Sequence, residues 1–152
     1  MDRVTDVAAA VEATVDALTN VLDSAVLAQR PSVPPAQLRV LAIVAENRHT
    51  NMSRLAEALE VVPSSASRLC DRLEATGLLR RVPDPRDRRE VRLLLTPSAR
   101  RLLDQLRERR REALGEVLDR MSPGDRQELV RSLRAFAEAT AGEAEDGALR
   151  TA

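Results

Sequence analysis

The sequence predicts a mainly α-helical chain carrying one small β-hairpin, and three observations predict it. Apolar residues recur at i, i+3, i+4 and i+7 along much of the chain, the spacing that places them on one face of a helix. Prolines and small polar residues fall where such helices would begin. One stretch, RRVPDPRDRREVRLLLT at residues 80–96, breaks both patterns. A helix cannot hold it, because Pro83 and Pro85 each remove a backbone donor and clash with the preceding turn. Leu93 and Leu95 alternate with Arg92 and Leu94, as in a half-buried strand. Two short strands flanking a rigid basic loop satisfy this pattern.

Residues 5–28 set Val7, Val11, Val15, Leu18, Leu22, Ala25 and Val26 in one apolar stripe, the first helix. RPSVPP breaks the chain, and a second helix starts near Pro35 with Leu38, Leu41, Ile43 and Val44 inward. Asn51 is the N-cap of a short helix through Glu60, with Met52, Leu55, Ala56 and Leu59 inward. The next helix begins at Pro63 and ends before Gly77, a residue suited to the left-handed position past a helix end. Its buried stripe is Ala66, Leu69, Cys70 and Leu73. The opposite side holds Ser64, Ser65, Ser67, Arg68, Asp71 and Arg72. After the hairpin, Thr96 caps a long helix with Pro97 in its first turn and Leu102, Leu103, Leu106, Ala113, Leu114, Val117, Leu118 and Met121 along its stripe. SPGD at residues 122–125 starts the last helix, whose inner face is Leu129, Val130, Leu133, Phe136 and Ala137. From residue 142 the tail is polar and predicted to be disordered.

Composition narrows the function classes. Apolar residues make up 43% of the 152, so a packed core is within reach, but with one Phe and no Tyr or Trp it must be aliphatic. No apolar run is long enough to span a bilayer and no signal peptide is evident, which points to the cytoplasm and to no membrane partner. One Cys and one His leave neither a disulfide framework nor a dedicated metal site. No nucleophile–His–acid set or Gly-rich phosphate loop is present, so no catalytic residue or cofactor is expected.

The net charge of zero hides an asymmetry. Residues 1–29 carry one Arg against five acids, residues 63–111 fourteen against seven, and residues 112–152 five against nine. A basic block inside a neutral chain is the electrostatic footprint of a nucleic-acid contact surface. The block coincides with a helix-turn-helix followed by a two-stranded wing. In that arrangement the second helix enters the major groove and its N-terminal residues meet base edges. Ser64, Ser65, Ser67 and Arg68 are therefore candidates for DNA contact, with Arg68 able to pair with guanine and Arg72 placed for a phosphate. The wing residues Arg86, Asp87, Arg88 and Arg89 complete the set. An arginine at such a tip can enter a narrow minor groove, and Asp87, which alone would repel DNA, serves to orient an arginine.

The segments QLRVLAIV, LAEAL, PSSASRLCDRLEATGLLRR and DPRDRREVRLLLT, in this order, resemble the MarR family of bacterial transcriptional regulators over residues 34–103. The resemblance implies a winged helix-turn-helix core flanked by N- and C-terminal dimerisation helices. It divides the chain into an N-terminal dimerisation helix (1–31), a DNA-binding domain (34–95), C-terminal dimerisation helices (96–141) and the tail (142–152). It further implies a homodimer on a pseudo-palindromic double-stranded DNA operator, a repressor released by a small-molecule effector, with Arg89 the minor-groove arginine and Asp87 its partner. A departure stands at Val62, where the family often has a polar N-cap, whose loss costs about 1 kcal/mol. The alternative is a low-specificity architectural DNA-binding dimer without an effector.

Three further features admit two readings each. Cys70 is either a redox switch or, as its place in the apolar stripe argues, an ordinary buried residue. His49 is a surface residue or a ligand. RERRRE at residues 107–112 is a solvated helical face or a phosphate-contacting flank.

Overall fold

Helix starts follow the local cues. The computed structural model describes residues 3–149, with side chains over residues 3–141. Its elements run α1 (Val4–Leu27), α2 (Pro35–Glu46), α3 (Met52–Leu59), α4 (Pro63–Ala75), β1 (Leu79–Pro83), β2 (Val91–Leu95), α5 (Pro97–Leu118) and α6 (Pro123–Leu149). Four of these helices open on proline, whose fixed φ suits the first turn and whose missing N–H would have had no partner there. Asn51 caps α3, its Oδ1 accepting the N–H of Arg54 at 2.9 Å. The Thr96 hydroxyl accepts the N–H of Ala99 at 3.2 Å and donates to the Gly77 carbonyl at 2.8 Å, so one oxygen caps α5 and closes the hairpin base. Gly77 itself sits at φ 73°, in the left-handed region that a side chain would strain. Ser122 caps the start of α6, accepting the Asp125 N–H at 3.2 Å while donating to its carboxylate at 2.6 Å.

Two units divide the chain, Met1–Arg111 and Glu112–Ala152. The first holds the core. Val40, Leu41, Leu55, Ala66, Cys70, Leu73 and Ala99 are wholly buried, and Leu79 and Leu93 bring both strands onto the same cluster. Leu102, Leu103 and Leu106 of α5 complete it. The inward stripe of α2 is rotated slightly from the expected one: Val40 is buried and Ile43 is only packed at its edge. The buried positions 37, 38, 40, 41 and 44 form one continuous face, which leaves 43 on its rim.

β1 and β2 pair antiparallel with Leu79 opposite Leu95, Arg81 opposite Leu93 and Pro83 opposite Val91. Pro83, expected in the loop, is thus the last residue of β1, a position where a missing ladder donor costs little. The hairpin is also stitched to the start of α3. Asn51 pairs with Arg92, and the N–H of Leu93 donates to the Thr50 carbonyl at 3.0 Å. This assembly of α2, α3, α4 and the hairpin is a winged helix-turn-helix.

The apolar stripes of the terminal helices are as the spacing predicts, but residues of this chain leave them open. Val7, Val11, Val15 and Leu18 of α1 are 46–53% exposed. On α6, Leu129, Val130, Leu133 and Phe136, expected as an inner face, are 37–63% exposed. The tail expected to be disordered from residue 142 instead continues α6 through Leu149, and residues 150–152 lie outside the described residues. No described helix is long and apolar enough to cross a membrane.

Leu73 of α4 has no exposed surface and belongs to the core cluster that includes Leu79 and Leu93 of the hairpin. Truncation there leaves a cavity that the surrounding aliphatic side chains only partly fill. Leu73→Ala should lower the unfolding free energy by about 2–5 kcal/mol in urea denaturation at fixed protein concentration.

Candidate nucleic-acid interface

The outward face of α4 carries the residues singled out by the sequence. Ser64, Arg68 and Arg72 are exposed, while Ser65 and Ser67 are half-buried. Val62 precedes the helix as an N-cap with no side-chain hydrogen bond, as its apolar side chain requires. The first-turn N–H groups therefore have no side-chain partner; Pro63 has none to offer, and that of Ser65 bonds the Val62 carbonyl at 2.9 Å. Among the described residues, neither Arg68 nor Arg72 forms an ion pair.

The loop between the strands is two aspartate turns in succession. Asp84 Oδ1 accepts the N–H of Arg86 at 2.8 Å, and Asp87 Oδ1 accepts the N–H of Arg89 at 2.9 Å. The Arg86 N–H bond, with smaller help from the Asp87 N–H and nearby arginines, holds the Asp84 carboxyl below its usual pKa. Each aspartate thus fixes the backbone of an arginine two residues on. Between Asp87 and Arg89 the bond is to the main-chain N–H, and no carboxylate–guanidinium pair joins them among the described residues. Arg86, Arg88 and Arg89 are exposed, and among the described residues none of them is in an ion pair.

The largest feature that sequence reasoning missed is Arg81. Its guanidinium reaches from β1 to α4, with one nitrogen 2.6 Å from Asp71 Oδ1 and 2.7 Å from Glu74 Oε2. The other nitrogen lies 3.1 Å from the Ser67 carbonyl oxygen and 3.2 Å from Ser67 Oγ. The main-chain N–H of Arg81 donates to Glu74 Oε1 at 3.1 Å. Partial burial works against this charge, but Asp71 and Glu74 more than offset it and raise the Arg81 pKa. Ser67 and Asp71, both placed on the outward face by spacing, are therefore joined to the wing. The signal was present: Arg81 has the strand parity of buried Leu79, which directs it inward.

A second set of bonds holds the other side of the wing. Asn51 Nδ2 donates to Glu90 Oε2 at 3.3 Å, and an Arg92 guanidinium nitrogen donates to the Arg48 carbonyl at 2.7 Å. Beside it a cleft of about 630 Å³ is lined by Arg48, His49, Arg92, Arg100, Leu103 and Arg107, among others. Asp104 is its one carboxylate and pairs with Arg107 at 3.1 Å, so the cleft keeps a positive excess. His49 thus lies at the cleft rim, in the polar turn where it was placed. The run at residues 107–112 is largely a solvated face: Arg107 and Arg111 pair within their own helix, although Arg109 bonds the Ala28 carbonyl.

Cys70 is wholly buried, and burial pushes its thiol up to about 11, Arg81 only partly opposing this. The unfolded chain loses this proton near 9.0 and the folded chain near 11, so the thiol's contribution to stability is complete below pH 9.0 and fades between the two. At pH 8 the native protein should resist iodoacetamide while the urea-unfolded chain is alkylated readily; mass spectrometry of both samples checks this. Equal labelling would show an accessible thiolate.

Known proteins share this architecture. The MarR family model matches residues 32–90. The HTH-type transcriptional repressor MdtR of Bacillus subtilis is 40% identical over 68 residues, 45% of this chain and 44% of that protein. The uncharacterised regulator YfiV of the same organism is 29% identical over 68% of this chain and 64% of its own length. The chain thus spans about half to two thirds of these two relatives. The crystal structure of RV1404 from Mycobacterium tuberculosis is 31% identical and superposes with a TM-score of 0.82, covering 91% of this chain and 95% of that one. With that likeness over nearly the whole of a solved relative, and the family model matched across the helix-turn-helix, β1 and the loop after it, the chain belongs to the MarR family of winged-helix transcriptional regulators.

Proposed function

We propose that this chain is a sequence-specific DNA-binding regulator and not an enzyme, a homodimeric cytoplasmic repressor released from a pseudo-palindromic operator by a small ligand. The observation that carries the reading is the pairing of α4 with the wing. A helix face bearing Ser64, Ser65, Ser67, Arg68 and Arg72 lies in the same unit as a loop presenting Arg86, Arg88 and Arg89 without ion-pair partners. Uncommitted arginines in such numbers are what a polyanion needs, since each phosphate contact releases condensed counterions. Arg68 has the reach for bidentate contact with guanine, and Arg89, fixed by Asp87, suits a narrow minor groove.

The dimer accounts for the open stripes of α1 and α6. Exposed valines, leucines and a phenylalanine in rows of this kind are covered in a stable protein, and a second copy supplies equal and matching faces. In this reading residues 1–31 and 96–141 form the dimerisation part and 34–95 the DNA-binding part. A two-fold dimer also sets two reading helices about 34–36 Å apart, on successive major grooves. The effector finds support in the cleft beside β2. Its arginines favour an anionic ligand, and Arg92 joins that cleft to the base of the wing.

The function is tested by binding to the chain's own upstream intergenic DNA against scrambled DNA across a salt series. A discrimination of about 10³-fold or more is expected of a specific regulator. Equal binding with a steep salt slope would replace this reading with the architectural one. On the preferred DNA, Arg68→Ala should lose about 1–3 kcal/mol and relax preference at one base pair per half-site. Arg89→Ala should weaken binding while sedimentation still gives a dimer. Operator affinity unchanged in both variants would refute these contacts, and a folded monomer at micromolar concentration would refute the dimer.

A further inference from the structure

Among the described residues two helical hydroxyls accept from a guanidinium: Ser98 from Arg101 of its own helix at 3.1 Å, and Ser67 from Arg81 of β1. Thr14, Ser24 and Thr76 each donate their proton back to a carbonyl of their own helix, at 2.7–3.3 Å, the usual resting state of a helical hydroxyl. Among the described residues Ser67 donates to nothing. Its Oγ instead accepts from the Arg81 guanidinium at 3.2 Å. A guanidinium has donors and no acceptor, so the Ser67 proton cannot be returned to it. The same nitrogen also bonds the Ser67 carbonyl, which holds the guanidinium at this turn of α4.

An unrestrained serine hydroxyl rotates to donate or accept, and so tells bases apart poorly. Here one lone pair is occupied by a charged donor and the proton is left pointing away from it. Donation into Oγ also polarises the O–H and strengthens it as a donor. Ser67 is half-buried, set among Ser64 and Arg68 on the outward side of α4, so its proton is still within reach of a partner. Arg81 is kept in place by two carboxylates, Asp71 and Glu74, one and two turns further along the same helix.

We propose that Arg81 is a positioning residue that sets Ser67 as a hydrogen-bond donor, so that α4 selects an acceptor atom at one base position of each half-site. The acceptors available in the major groove are guanine O6 and N7, adenine N7 and thymine O4; the amino group of cytosine is rejected. This rests on the reading of the chain as a DNA-binding regulator.

The test is enrichment of a random double-stranded DNA library by the parent, Ser67→Ala, Arg81→Lys and the double variant, with thermal melting of each. Lysine keeps a positive charge between Asp71 and Glu74 but cannot also hold Ser67, because it lacks the planar fork. Ser67→Ala and Arg81→Lys should flatten the same base position by about five- to tenfold while the rest of the motif survives. The double variant should match either single one. A parent that enriches a motif, with Arg81→Lys retaining full preference at the position that Ser67→Ala flattens, would reduce Arg81 to a structural charge and overturn the proposal. So would a Ser67→Ala profile identical to the parent's, an observation that does not depend on how well the Arg81 variant folds. A parent that enriches no motif would overturn the DNA-binding reading itself, and this assignment with it.

Discussion

The ion pairs from Arg81 to Asp71 and Glu74 are what make two separate elements one surface. A recognition helix and a hairpin that merely follow each other in sequence could vary their mutual angle by the play of a short turn. Here a single side chain spans from β1 to positions 67, 71 and 74 of α4, which are successive turns of one helical stripe. The Arg81 side chain is 24% exposed, so the tie lies between the two limits for ion pairs. A fully exposed pair contributes about 0–1 kcal/mol, and removing one partner of a buried pair costs about 3–5 kcal/mol. Its main consequence is geometric: the spacing between the helix face and the wing is set before any partner arrives, so little ordering entropy remains to be lost on docking.

The rest of the wing follows the same logic at smaller scale. Asp84 and Asp87 would be repulsive to a phosphate backbone if they were free. Both carboxylates are tied to main-chain N–H groups, and Arg86, Arg88 and Arg89 outnumber them in the loop. Proline at 83 and 85 stiffens what the aspartates shape. The opposite edge is held by Asn51 to Glu90 and by Arg92 to the Arg48 carbonyl, so the hairpin is fastened from two sides while its tip stays in solvent. Anything that moves Arg92 from within the cleft therefore acts on the root of the wing.

Much of this architecture was legible in the sequence because its punctuation is local. Pro35, Pro63 and Pro97 in first turns, Asn51, Thr96 and Ser122 as caps, and Gly77 after α4 mark element ends by chemistry confined to a few residues. What stayed hidden is tertiary. Arg81 sits inside a run of arginines that reads as uniformly outward, and only its strand parity with Leu79 distinguishes it. Its carboxylate partners lie ten and seven residues away, across the turn at Gly77. The rotation of α2 that buries Val40 and leaves Ile43 at the rim depends on how neighbouring helices pack, which apolar spacing alone does not fix. The stripes of α1 and α6 were plain as stripes, but spacing says nothing about which surface covers them.

One measurement bears most directly on the claim that helix and wing act as a single surface, repeated by two-fold symmetry: groove-specific footprinting of the parent on its enriched site. Major-groove protection is probed by guanine N7 methylation and minor-groove protection by hydroxyl radicals. The expected result is a major-groove patch with a minor-groove patch beside it, and the same pair repeated in mirror order about one helical turn, or about 10–10.5 base pairs, away. Protection of one groove alone, or a single unrepeated patch, would contradict the joined surface or the symmetric dimer respectively.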